Sequence, residues 1–267
     1  MQSKLTAKIN KQLQARYDRI APSWNSDVYA GTRRDDLIPK LITLLEVQAG
    51  SLKVLEAMAG TALVSQELKK QNSELECYAL DFSQGMLAQI KGAIKKIQAS
   101  ATVMPFADKS FDRICIRNGL YDLPRQLQRK ALKEIKRVLS VDGIFVLQNY
   151  HTTLATFEYL NELVKQKDIA GSQNKAIEEP FSRYFAPIEE FEGWLNEAGF
   201  EFSREMVFEG EIRYMRTKEM SDTESWLKYA NSLPKEIEEV LKMRTEKDRT
   251  LTFNFPGIIY RMIHKTV

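Results

Sequence analysis

Between Leu52 and Tyr150 the chain alternates short apolar runs with amphipathic runs, and few residues separate them. "LKVLEA" reads as a buried strand and "TALVSQELKKQ" as a helix; "LECYALD" reads as a second strand and "SQGMLAQIKGAIKK" as the helix after it. β-like segments follow at "ASATVM" and "FDRICIR". The periodic helix "QLQRKALKEIKRVL" then passes through "SVDG" into the strand "IFVLQNY". Parallel neighbours need a crossover, and strands alternating with helices supply one at each step, so this pattern dictates a parallel sheet with helices on both faces.

Outside that stretch the alternation is lost. Residues 1–50 carry the three-to-four-residue apolar spacing of helices in "LTAKINKQLQARYDRIA" and "DDLIPKLITLLEVQ". Residues 152–196 read as mostly helical around an irregular "FSRYFAP", and "FEFSREMVFEGEIRYMR" as a long strand or one that turns back. Residues 221–247 are charge-rich and helical, and "LTFNFPGIIYRMI" closes the chain as a strand. Its Pro256 predicts a strand start, a bulge or an edge position. The expected architecture is α/β: a Rossmann-like doubly wound sheet, mostly parallel with an antiparallel last strand, plus a helical cap. We read residues 1–267 as a single domain. Its core takes about 50–151, 187–216 and 249–267, and its cap takes 1–49, 152–186 and 217–248.

The charge is balanced, with 39 Lys and Arg against 36 Asp and Glu. A nucleic-acid partner would call for a basic block or stripe, which is missing. Cys77 and Cys115 each sit in an apolar run without metal-ligand spacing, so buried thiols in a reducing, cytoplasmic compartment are expected and no metal is implied. No 18-residue apolar run exists to span a membrane.

In a doubly wound sheet ligands bind beyond the carboxyl ends of the strands. Those ends hold Glu56, Ala57 and Gly60 after the first strand and Asp81 after the second. Asp81 lies 21 residues beyond Gly60, a separation that suits a carboxylate accepting from a ribose diol.

Six segments, in this order, carry a resemblance: "YDRIAPSWN", "VLEAMAGTA", "ALDFSQGML", "MPFADKSFDRICIRNGLYDL", "ALKEIKRVLSVDGIFVLQ" and "RYFAPIEEFEGWLNEAGF". Over roughly residues 15–200 the chain resembles the class I S-adenosylmethionine-dependent methyltransferases, nearest the ubiquinone/menaquinone-biosynthesis branch. The resemblance implies S-adenosyl-L-methionine as cofactor. It places Glu56 near the methionine amino group, Gly60 with its bare backbone against the cofactor, and Asp81 on the ribose. Phe82 and Met86 would flank the adenine, Tyr17 would close over the methionyl end, and Arg117 and Asn118 would meet the cofactor through backbone carbonyls.

Two positions depart from the family. Where its turn carries three glycines, this chain reads Met58, Gly60 and Ala62. Ala62 is a mild change, since alanine favours helix, whereas Met58 is compatible with a cofactor loop only at negative φ, with its side chain in the core or along the ligand. The family often has an acid where Ser100 stands; Ser100 offers one hydrogen bond, a loss of about 1 kcal/mol, and the Ala101 backbone could still reach the adenine. These departures motivate a second reading, a non-catalytic binding or scaffold protein on a methyltransferase fold. A nucleic-acid methyltransferase is disfavoured by the charge balance and by "RNGLYD" standing where an NPPY-like motif would be.

Methyl transfer is an in-line displacement that needs alignment and, for a hydroxyl or carbon acid, a base. His151, directly after the fifth strand, and Tyr121 are the candidate catalytic residues; Asp122 is either substrate-facing or a turn residue, and His264 is structural. The cap aromatics Phe157, Tyr159, Phe181, Tyr184, Phe185, Trp226 and Tyr229 are mainly core. Some of them, with Tyr150, would line a pocket for an apolar or aromatic small molecule.

Overall fold

The computed structural model describes residues 2–26, 34–47, 50–170, 183–214, 223–245 and 251–265. Among them, β1 (Lys53–Ala57), β2 (Glu76–Asp81), β3 (Lys95–Gln98), β4 (Phe111–Arg117) and β5 (Leu139–Tyr150) run parallel. β6 (Phe200–Tyr214) is one continuous strand, and β8 (Leu251–His264) lies antiparallel between it and β5. The order is β3-β2-β1-β4-β5-β8-β6, with the short β7 (Arg244–Thr245) pairing with β8. The sheet is thus mostly parallel, as the alternation dictates, and its closing strand is antiparallel.

The helices are α1 (Gln2–Ile20), α2 (Ile38–Leu45), α3 (Leu63–Gln71), α4 (Gln84–Ala88), α5 (Arg125–Val138), α6 (Phe157–Ala170), α7 (Ile188–Glu197), α8 (Thr223–Ala230) and α9 (Lys235–Val240). Successive strand side chains face opposite sides, which sorts the core into two layers. Val54, Cys77, Ala79, Cys115 and Val146 meet α2 and α3 through Leu41, Leu45, Val64 and Leu68. Leu55, Leu80, Ile114, Ile116, Phe145 and Leu147 meet α5 and α7 through Leu132, Ile135, Phe191 and Trp194. Cys77 and Cys115 are buried free thiols. The first layer continues past the sheet, where Leu160, Leu163, Phe185, Leu233 and Leu241 of the cap pack on Leu251, Phe253 and Phe255.

Three local expectations are corrected. The helix read over 83–96 stops at Ala88, and β3 lies at 95–98 rather than in "ASATVM". Gly92 at φ +82° is incompatible with a helix and turns the chain early. "SVDG" is not a connection but the start of β5, where the register jumps: Phe111 pairs with Leu139 and Arg113 with Ile144, so the extra residues bulge out. Pro256 sits in the interior of β8. Its carbonyl accepts the His151 N–H at 2.9 Å just where the β5 ladder ends at Tyr150 and Gly257. Since a residue's N–H and C=O face the same neighbour in a strand, the missing donor faces the departing end of β5.

Candidate functional site

The turn after β1 carries the backbone strain of the molecule's cleft. Met58, Gly60 and Ala62 all lie in the left-handed region, at φ +52°, +52° and +54°. The expectation of negative φ for Met58 is therefore wrong, and Ala62 is strained backbone ahead of α3 rather than a helix residue. Each non-glycine residue there costs roughly 1–2 kcal/mol. The turn keeps its shape because other groups over-determine it. Ala59 N–H donates to Leu80 O at 3.0 Å, Ala62 N–H to Ala59 O at 2.7 Å, and Gly60 N–H to Asp81 Oδ2 at 2.8 Å. The Met58 side chain lies against Gly119, itself at φ +95°.

Asp81 ties two turns together: its Oδ1 accepts the Ser83 N–H at 2.8 Å. Burial dominates its ionisation and, partly offset by these donors, pushes its carboxyl up to about 6. Each oxygen accepts one N–H and retains a second lone pair. Asp81 lines a cleft together with Phe82 and Met86 from the end of β2, Met58 and Gly60 from the end of β1, and Arg117 to Gly119 from the end of β4. Tyr121 and Asp122 complete the β4 side; Tyr17 and Trp24 cover the cleft from the N-terminal side. The cleft holds about 470 Å³ of empty space, open mouth included.

The N-terminal segment is pinned around the rim of this cleft. Asp18 Oδ1 accepts from Ser83 Oγ at 2.6 Å and from Gly85 N–H at 2.8 Å. Thr61 Oγ1 donates to Asn25 Oδ1 at 2.9 Å, and Asp35 pairs with Arg117 at 2.7 Å. Tyr17 meets Trp24 and Phe82 edge-on, with centroids 6.0 and 5.7 Å apart. Its hydroxyl donates to Asp122 Oδ2, while Arg183 Nε lies 3.1 Å from Asp122 Oδ1. Burial and the neighbouring carboxylate hold the Tyr17 phenol well above its usual range.

Seven of the eleven residues expected to meet a cofactor line the cleft: Tyr17, Gly60, Asp81, Phe82, Met86, Arg117 and Asn118. The other four do not. Glu56 turns away because its Oε2 accepts the Ser65 N–H at 2.7 Å in the first turn of α3; burial raises its carboxyl above the usual range. Ala57 faces the α5 layer of the core. Ser100 Oγ is hydrogen-bonded to Thr102 Oγ1 at 2.9 Å in a tight turn, and Ala101 is buried.

Of the two catalytic candidates, Tyr121 lines the cleft, stacked on Phe185 at 4.7 Å and in contact with the buried Tyr150 at 5.6 Å. His151 does not. Its side chain projects to the opposite face from Tyr150, between Phe191 and Tyr260, and is fully buried. That burial lowers the imidazole to about 3, so the ring is neutral and out of reach. Tyr184 also lies off the cleft, with its hydroxyl on Glu190 at 2.6 Å. Phe181 and the side chain of Trp226 lie outside the described residues. Trp24, Met58 and Gly119 are cleft residues that sequence reading did not assign to the site. Trp24 shares the "YDRIAPSWN" segment with Tyr17, and Gly119 follows Asn118 in an Asn-Gly turn signal.

Residues 55–147 match the family described as "Methyltransferase domain". The demethylmenaquinone methyltransferase of Staphylococcus epidermidis is 32% identical over 178 residues, which cover 64% of this chain and 69% of that protein. The chain belongs to the class I S-adenosylmethionine-dependent methyltransferases. The methyltransferase of the same name from Corynebacterium glutamicum is 36% identical over 137 residues, 49% of this chain and 57% of that protein, so the match spans little more than half of that relative's length. The fold agrees with that of the YcgJ protein from Bacillus subtilis, at a TM-score of 0.72 and 19% identity over 87% of this chain and 99% of that one. For a methyltransferase of this family the residues present fit the cofactor. A buried carboxylate with a further lone pair on each oxygen lines the cleft, aromatic edges flank it, and Gly60 presents bare backbone at positive φ to it.

Proposed function

We propose that this protein transfers a methyl group from S-adenosyl-L-methionine to an apolar, aromatic small molecule of the quinol type. The observation that supports this most is the position of Asp81: a buried acceptor at the end of β2, facing a cleft whose far wall is Tyr121. When bound, the cofactor would supply an activated methyl on a sulfonium, which leaves alignment and dehydration to the protein. Asp81 would take the ribose hydroxyls, Phe82 and Met86 the adenine, and Gly60 with the Asn118 backbone the methionyl part. Tyr17, Trp24 and Tyr121 would exclude water and hold a planar acceptor. The acceptor class comes from two supports: the aromatic wall, and the relatives named demethylmenaquinone methyltransferase.

The non-catalytic reading rested on Met58 and Ser100, and neither carries it. Met58 adopts the left-handed backbone a glycine would, and Ser100 lies away from the cleft. No helix among the described residues is long and apolar enough to cross a membrane; the cytoplasmic setting we propose suits its two free thiols.

Two measurements test the function. Calorimetry with S-adenosylmethionine and S-adenosylhomocysteine should give saturable binding and a ligand-dependent rise in melting temperature. Mass spectrometry of reduced demethylmenaquinone after incubation with protein and cofactor should then detect the methylated product. No thermal response at about millimolar cofactor would sink the enzyme; binding without transfer would sink this acceptor.

A further inference from the structure

Among the described residues that line the cleft, the groups able to take up a proton are few. Asp81 holds a backbone N–H on each oxygen at the β2 end, and Arg117 is a permanent cation. His151 lies behind the sheet. At the β4 end stands a different arrangement. Tyr17 Oη donates to Asp122 Oδ2, both residues line the cleft, and Arg183 approaches the other carboxylate oxygen at 3.1 Å. The Asp122 side chain is only 6% exposed, so water does not set its partners.

Three chain segments build this group. Tyr17 comes from α1, Asp122 from the one-turn helix Leu120–Asp122 after β4, and Arg183 from the strap that enters α7. The strap is fixed on that turn by Tyr184 N–H to Tyr121 O at 2.9 Å and by Gln128 Nε2 to Tyr184 O at 2.6 Å. Arg183 therefore orients the carboxylate, Oδ2 faces the phenol, and phenol and carboxylate both border the cleft. A carboxylate aimed by one partner and reaching the site through a second hydroxyl is a proton relay.

We propose that Tyr17 and Asp122 form the general base that deprotonates the methyl acceptor, with Arg183 as their positioning residue. The proposal rests on the methyltransferase reading above. In the step, the acceptor hydroxyl gives its proton to Tyr17 Oη while the Tyr17 proton passes to Asp122 Oδ2. The electron pair released on the acceptor forms the bond to the methyl carbon, from the oxygen itself or, for a quinol, through the ring carbon, which then passes its hydrogen as a proton to that oxygen to restore the aromatic ring. The pair of the breaking carbon–sulfur bond stays on the donor's sulfur. The negative carboxylate and the positive sulfonium both end neutral, and the proton leaves Asp122 for solvent after product release. The charged and titratable groups that face the pair are Arg183 from the strap, Arg16 from α1 and Tyr121 from its own turn; Arg117 of β4 lines the same cleft and pairs with Asp35.

The test compares the intact protein with Asp122→Asn and Tyr17→Phe, using reduced demethylmenaquinone as acceptor and calorimetry for S-adenosylmethionine binding. Asp122→Asn should lower kcat by roughly 100-fold or more and remove the acidic limb of the kcat profile, while cofactor binding persists. Tyr17→Phe, which keeps the ring that packs on Phe82, should do the same and stands in if Asp122→Asn does not fold. Unchanged kcat and an unchanged acidic limb in either variant would overturn the proposal. If the intact protein binds cofactor but does not methylate this acceptor, the acceptor assignment fails, and infrared spectroscopy decides the relay separately. A protonated carboxyl band at neutral pH that vanishes in Asp122→Asn would overturn it, because Asp122 could not accept. Its absence supports an ionised, accepting Asp122.

Discussion

Met58 and Gly119 face each other across the cleft floor, both at positive φ: +52° and +95°. A Cβ on Gly119 would stand in ordinary contact, 3.5 Å from Met58 Cβ and Cε, so it is the positive φ rather than the space that calls for glycine there. Asparagine tolerates the left-handed region and a β-branched residue does not. Met58→Asn should therefore keep stability within about 1 kcal/mol, and Met58→Val should lower it by about 1–2 kcal/mol. Urea denaturation of the two variants checks this. A Val variant as stable as the Asn variant would mean that the turn does not hold Met58 in that conformation.

Asp81 couples pH to the cofactor and to the fold with opposite signs. Its folded carboxyl sits at about 6 against an ordinary 3.8, so the folded state binds this proton more tightly than the unfolded chain. That contribution to stability is present below pH 3.8 and is lost as pH rises through about 6. Ligand binding runs the other way, because the ribose diol needs the ionised carboxylate. Below pH 6 the affinity for S-adenosylmethionine should fall toward about tenfold per pH unit. Calorimetry from pH 5 to 8 measures it, and a flat profile would remove Asp81 from the ribose.

His151 provides the acid-side test. Burial lowers its imidazole from 6.5 to about 3, so below pH 6.5 the unfolded chain takes up a proton that the folded ring refuses. The neutral ring's contribution is complete above pH 6.5 and fades as pH falls toward 3, by up to about 1.4 kcal/mol per unit. His151→Leu should flatten this part of the stability profile. Because the ring faces Phe191 and Tyr260 rather than the cleft, methyl transfer should be unaffected. A large loss of kcat in this variant, with cofactor binding intact, would return His151 to the site.

The sheet was legible from the alternation of strands with helices, because strands buried on both faces read as short continuous apolar runs; Val54 and Leu55, like Cys115 and Ile116, are both apolar and enter opposite layers. That Gly60, Asp81 and Phe82 line the cleft was legible for a related reason: a doubly wound sheet opens its cleft just past its strand ends. His151 was misread because position after a strand does not reveal which face a side chain takes. Tyr150 and His151 are adjacent and diverge to opposite layers. Glu56 lies off the cleft because a buried acid can serve a helix N–H as well as a ligand, and its Oε2 accepts the Ser65 N–H at 2.7 Å. The Tyr17–Asp122–Arg183 group joins residues far apart in the chain, and no local pattern encodes it. Met58 was expected to avoid positive φ on propensity alone, but two backbone hydrogen bonds and the Gly60 N–H bond to the Asp81 carboxylate override that preference.

The shape of the acceptor wall depends on a glycine outside it. A Cβ on Gly210 would fall 2.2 Å from Tyr150 Cε1 and 2.7 Å from Cδ1, so the ring lies flat over bare β6 backbone. Tyr150 is fully buried among rings: Phe255 meets it at 4.7 Å, Phe208 at 5.8 Å and Tyr121 at 5.6 Å. Gly210→Ala must push this ring, an overpacking cost of about 1–3 kcal/mol, and of the rings that meet Tyr150 it is Tyr121 that lines the cleft. The variant should raise KM for the acceptor while leaving S-adenosylmethionine affinity unchanged, since Asp81 and Gly60 lie on the other side of the cleft. Adding Tyr150→Leu should recover stability beyond the sum of the single changes, the signature of two residues in contact. Additive effects in that double-mutant cycle would show that Gly210 acts on the fold without passing through Tyr150.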